Sequence, residues 1–151
     1  MSLRRALPIL AALSALGGCA PARAQTVALV GQPALAVAVI EDSPRCAADY
    51  VVVTVTAFSP AADGRPVQLV FALVGPRGET ELGRPSIFPH APFSEVAHDP
   101  AQRFGFRIDR AAVGDGPFKV RMSLDPISGA GAGASASLGQ VRLGAAPGEG
   151  C

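Results

Sequence analysis

Residues 50–58, Tyr-Val-Val-Val-Thr-Val-Thr-Ala-Phe, leave this chain few architectures. Almost every residue in the run is β-branched or aromatic, and such side chains fit a pleated surface better than a helix. From Val51 they alternate, with Val51, Val53, Val55 and Ala57 on one side and Val52, Thr54, Thr56 and Phe58 on the other. A period of two predicts a strand. A strand this apolar needs partners and an opposing layer, and the rest of the sequence offers both.

Further strands are predicted at 34–40, 67–74, 79–82, 86–88, 103–108, 118–124 and 138–143, with 26–30 as a strand or part of a tether and 93–97 extended. The clearest are 103–108, where Phe104, Phe106 and Ile108 face away from Arg103 and Arg107, and 118–124, where Phe118, Val120, Met122 and Leu124 alternate with Lys119, Arg121 and Ser123. Seventeen Gly and fourteen Pro fall mostly between these runs, as turns between short strands require. Asp63-Gly64 marks a turn in the loop 59–66, across which strands 50–58 and 67–74 are expected to pair as antiparallel neighbours. Residues 109–113 could form one helical turn, and the Gly/Ala-rich tract 128–137 reads as a loop. The fold class is all-β: a single antiparallel β-sandwich or Greek-key barrel of about seven to nine short strands.

The N-terminus reads as a targeting segment. Arg4 and Arg5 precede an apolar run over residues 6–16, too short to span a bilayer but suited to a secretory signal. Leu16-Gly17-Gly18-Cys19 looks like a bacterial lipobox, which would make Cys19 the lipidated first residue after a signal at 1–18. Ala22-Arg23-Ala24 offers the alternative, a signal at 1–24 and a soluble protein starting at Gln25. Residues 19–33 are then a tether or first strand, and 34–151 the sandwich domain. Both readings predict export, to the bacterial periplasm or to the outer membrane as a lipoprotein. With Cys19 assigned to processing, Cys46 and Cys151 remain, and an oxidising compartment favours a disulfide between them over two free or intermolecular thiols.

Chemistry is sparse. The net charge is +1, and removal of Arg4 and Arg5 from the thirteen basic residues leaves eleven against twelve acidic ones. There is no basic stripe with interleaved aromatics, so nucleic acid is not an expected partner. Neither a G-x-S-x-G elbow nor a phosphate-cradling glycine motif occurs. His90 and His98 are the only histidines; they lie near Glu95 and Asp99 but lack a short metal-binding spacing, and no metal or other cofactor is expected. The expectation is a non-catalytic exported protein that binds an envelope protein through its loops. Segment 84–102, with Arg84, Phe88, His90, Phe93 and His98, is the preferred site because rigid sandwiches carry recognition on irregular loops. A copper- or metal-handling accessory using His90 and His98, and a structural envelope subunit, are the alternatives.

One family resemblance adds to this. The succession Val67-Gln68-Leu69-Val70, Gly78-Glu79-Thr80-Glu81-Leu82-Gly83, Ser86-Ile87-Phe88-Pro89, Arg103-Phe104, Val120-Arg121-Met122-Ser123-Leu124 and Leu138-Gly139-Gln140-Val141-Arg142-Leu143 resembles the C-terminal β-sandwich of some bacterial tyrosinase-type copper oxidases. It covers residues 67–143, about half the chain. The helical, copper-binding domain of those enzymes has no counterpart in this sequence, so no functional residue carries over. The resemblance implies an accessory or covering domain, not an oxidase.

Overall fold

In the computed structural model, the described residues form ten strands in two sheets that face each other across an apolar interior. The structure describes residues 26–37, 39–40, 50–75, 77–109 and 118–144. The targeting segment, Cys19, Cys46 and Cys151 lie outside the described residues, as does almost all of the helical turn expected at 109–113.

The strands are β1 (Val27–Leu29), β2 (Ala34–Val37), β3 (Val39–Ile40), β4 (Tyr50–Ser59), β5 (Val67–Gly75), β6 (Gly78–Gly83), β7 (Phe93–Ser94), β8 (Gln102–Arg107), β9 (Lys119–Pro126) and β10 (Ser135–Gly144). The six-stranded sheet is built on β4 and β10. β10 pairs β1 and β3 on its outer side, and β4 pairs β8 and β7 on its own. The four-stranded sheet runs β2-β9-β5-β6. Every strand pair is antiparallel except the short contact of β3 with β10.

Of the two readings of residues 26–30, strand or tether, the structure has the strand: Val27–Leu29 pairs with β10. Leu29 and Gln32 exchange backbone hydrogen bonds of 2.8 and 2.9 Å around a tight turn, which carries the chain from one sheet to the other. Val30 bridges Leu124 on the way.

β4 and β5 are not hairpin neighbours as the sequence suggested; the loop between them crosses from one sheet to the other. Each needs its apolar face covered, and they achieve this as opposing layers, while β10 and β8 flank β4, and β9 and β6 flank β5. The Asp63-Gly64 turn is present within that crossing: the Gly64 amide donates to the Ala61 carbonyl and the Arg65 amide to the Asp63 carboxylate.

The interior is wholly apolar, with no described polar or charged residue buried. Val51, Val53, Val55 and Phe58 of β4 meet Leu69 and Phe71 of β5, with Val120, Met122 and Leu124 of β9 and Leu138, Val141 and Leu143 of β10. Phe71 packs against Phe104 and Phe106 at ring-centroid distances of 5.8 and 5.3 Å. Burying a side chain of that size stabilises the fold by about 1.5–3 kcal/mol.

Strict alternation in β4 fails at its end, where Phe58 joins Val51, Val53 and Val55 in the core. The cause is a pair of β-bulges. Between Ala57↔Ser137 and Val55↔Leu138, β4 advances two residues while β10 advances one. Between Val55↔Leu138 and Val53↔Val141 the excess lies on β10 instead. Each extra residue shifts the side-chain phase of its strand.

Two other expectations change. Residues 86–88 form no strand, because Pro85 and Pro89 flank them without backbone N–H donors; Ile87 is buried while Phe88 points out. The Gly/Ala tract is not all loop: β10 starts at Ser135, and Ala134 and Ala136 are buried. Glycines bend the chain ahead of it. Gly131 has φ of +62°, and a Cβ there would sit 2.8 Å from Pro126.

Candidate functional site

The segment joining β6 to β8 holds all five residues singled out from the sequence, but they do different things. Arg84 is clamped: its guanidinium donates two 2.9 Å hydrogen bonds to the Glu81 carboxylate and one of 3.1 Å to Asp125. These contacts hold the Glu81 carboxyl below its usual range, chiefly through the Arg84 hydrogen bond, and raise Arg84 itself. His90 packs edge-on against buried Phe58 at 5.2 Å, and Phe93 lies 6.3 Å from the same ring. Phe93 and Ser94 also extend the sheet by pairing with Phe58 and Ala57.

Beyond β7, residues Glu95–Ala97 make a single 3-10 turn. His98 closes it in the left-handed region with φ of 66°, donating its amide to the Glu95 carbonyl. Asp99 then locks the turn, its carboxylate accepting from the Ser94 amide at 3.0 Å. His90 therefore serves the Phe58 cluster and His98 the turn. Among the described residues no three His, Cys, Asp or Glu side chains gather to hold a metal. Among the polar residues that the segment exposes stand two large apolar side chains, Phe88 at 87% and Val96 at 93% exposure. Gln102 steadies Phe88 by donating its side-chain amide to the Phe88 carbonyl.

The outer faces of the two sheets differ in how they use charge. On the four-stranded sheet, Arg121 pairs with Glu79, and Arg84 with Glu81 and Asp125. Below them lie Val70 and Ala72, buried although they point away from the core. One nitrogen there, Arg121 Nε, is buried without a hydrogen-bond partner.

On the six-stranded sheet a polar cleft of about 360 Å³ is lined by Thr54, Thr56, Glu95, Arg103, Gln140 and Arg142. The two bulges help to build it. Leu138 and Val141 both point into the core, so Gly139 and Gln140 lie between them on the outer side. Likewise Val55 and Phe58 point inward, leaving Thr56 and Ala57 outside. Each bulge so adds an outward residue beside the cleft. Thr56 donates its hydroxyl to the Ser137 carbonyl at 3.4 Å. A Cβ on Gly139 would come within 2.6 Å of the Thr56 methyl and 3.3 Å of the Thr54 carbonyl, so only glycine allows that approach. Among the described residues Arg103 has no ion-pair partner.

Sequence reading did not assemble this cleft. Its residues are spread from Thr54 to Arg142, and only strand register brings them together. No family model, curated protein or solved structure matches the chain.

Proposed function

We propose that this protein is an exported, non-catalytic β-sandwich of the bacterial envelope, held to the membrane through a lipid on Cys19, that binds an envelope protein through segment 84–102. The observation that carries this reading is the exposure of Phe88 and Val96 on one segment of a sandwich whose other large apolar side chains are mostly buried. Exposed apolar side chains grouped on a surface segment favour contact with another protein. The segment that bears them is pinned by β7, the Ser94–Asp99 hydrogen bonds and the His90 and Phe93 packing on Phe58, so little ordering is needed when a partner docks.

A photo-reactive residue at position 88 or 96, introduced in the native host, tests the reading. One discrete protein adduct from both positions, and none from exposed Thr80, is the expected result. No adduct, or the same adducts from all three positions, overturns it. Phe88→Ser with Val96→Ser should remove the interaction while leaving Tm unchanged, because neither side chain is part of the core. Mass spectrometry of the mature N-terminus decides between lipidated Cys19 and free Gln25.

A further inference from the structure

We infer that the cleft on the six-stranded sheet is a binding site for a phosphate ester, with Arg103 and Arg142 gripping the phosphate from opposite flanks. This goes beyond the partner-binding reading, since the cleft can be filled whether or not Phe88 and Val96 meet a protein.

The cleft spans three strands. Arg103 stands on β8 opposite Thr54, and Arg142 on β10 opposite Val52, with β4 between. At the spacing of neighbouring strands the two arginine backbones are roughly 10 Å apart across the sheet. That separation lets two long side chains converge on one small group. Guanidinium forks match oxyanions, and donors from several directions suit a tetrahedral phosphate better than a planar carboxylate. Thr54 and Gln140 add a hydroxyl and an amide donor along the floor and side, while the Thr56 hydroxyl donates to the Ser137 carbonyl.

Among the described residues the acid in the lining is Glu95, delivered by the 3-10 turn of the β6–β8 segment. It disfavours a bare polyanion and suits a phosphate whose ester group carries its own hydrogen-bond donor. The volume, about 360 Å³, fits a small polar molecule.

Two features set this cleft apart from an ordinary charged surface. Strand bulges recur beside binding sites because they re-aim side chains. Here two adjacent bulges place Thr56 and Gln140 on the cleft, and Gly139 allows the close approach that seats them. In addition, Arg103 is not consumed by an ion pair among the described residues, although Glu95 lines the same cleft. A guanidinium left so, next to hydroxyl and amide donors, is a group arranged for an external anion.

A phosphate ester can be free or part of a lipid headgroup, and glycerol phosphate chemistry distinguishes the two. The mature protein is titrated with soluble glycerol phosphate, and separately sedimented with vesicles of phosphatidylcholine with or without phosphatidylglycerol. Saturable one-to-one binding of the soluble ester assigns a free ligand, and binding only to vesicles containing phosphatidylglycerol assigns a headgroup. In either case Arg103→Glu should weaken binding about tenfold or more, and raising salt should weaken it too. Gln140→Ala should give a smaller loss, and Arg77→Glu, a charge reversal on an exposed turn, none. Melting curves confirm that the variants are folded. Absence of binding to both probes overturns the inference, and so does binding that Arg103→Glu leaves within about twofold of the original, the scatter of an ordinary surface charge.

Discussion

The two outer faces of this sandwich carry arginines at similar density and use them in opposite ways. On the four-stranded sheet Arg84 and Arg121 are matched by Glu79, Glu81 and Asp125, and the face is close to neutral over a buried floor of Val70 and Ala72. On the six-stranded sheet Arg103 and Arg142 share a cleft, among the described residues, with Glu95 and the uncharged Thr54, Thr56 and Gln140. The first face is charged in order to cover apolar strands, since arginine stems shield Val70 and Ala72 while their heads remain in water. The second is broken by two bulges in the β4–β10 ladder, and its Arg103 has no ion-pair partner among the described residues. Charge alone does not mark a site; Arg103, without an ion-pair partner among the described residues and beside neutral hydrogen-bonding groups, is what sets the second face apart.

The largest test of this contrast concerns the ladder beneath the cleft. Tyr50 lies opposite Gly144 in the β4–β10 ladder, and Cys46, four residues before the one, and Cys151, seven after the other, are near them in sequence though outside the described residues. We expect a disulfide between them, closing a loop of about a hundred residues, and Cys46→Ser with Cys151→Ser to cost roughly 4–5 kcal/mol on the chain-entropy account. Denaturant unfolding with and without reductant measures it; an unchanged midpoint removes the bond. Next in size is Gly139→Val. Its side chain would meet the Thr56 methyl and the Thr54 carbonyl and should cost about 1–3 kcal/mol, whereas Gly75→Ala on the other sheet, with nothing within 4 Å, should be close to neutral.

A smaller effect is expected from Arg84→Gln, which strips two carboxylates of their partner. The loss should shrink in high salt, because the pairs are exposed. Its pH dependence has a definite sign. Glu81 is depressed in the folded protein, so its contribution is present above the ordinary carboxylate range and disappears as pH falls through the depressed value. Arg84, raised from an already high value, stays charged throughout. The difference in Tm between Arg84→Gln and the original chain should therefore narrow on acidification. The smallest expected effect is that of Arg103→Glu, which should leave Tm unchanged. A destabilisation equal to that of Arg84→Gln would erase the contrast between the faces.

Most strands were legible in the sequence because each buries one face, and a period of two then appears directly in the residues. β4, β5, β8, β9 and the second half of β10 all lie where Val, Phe and Leu alternate or run together. What escaped was set by tertiary partners. Val67-Gln68-Leu69-Val70 reads equally well beside β4 or across from it, and the choice depends on which neighbours compete for its edges. The first residues of β10 are Ser and Ala, whose local preference is for a loop; they become strand because β4 and β1 flank them. The packing of His90 and Phe93 on Phe58 was not legible either, because the sequence does not reveal that Phe58 turns inward after a bulge. The cleft was invisible for the same reason: a register shift has no composition.

The position of β10 carries a consequence for the order of events in a cell. This is the last of the described strands in chain order, yet it sits inside its sheet, between β1 and β4. A chain delivered from its N-terminus, by the ribosome or across a membrane, holds β4 with one unpaired edge until residues 135–144 arrive. Unpaired strand edges attract other chains. Completion of the sheet thus waits for residues 135–144, and a polypeptide cut short before Ser135 should emerge sticky and protease-sensitive rather than as a smaller sandwich.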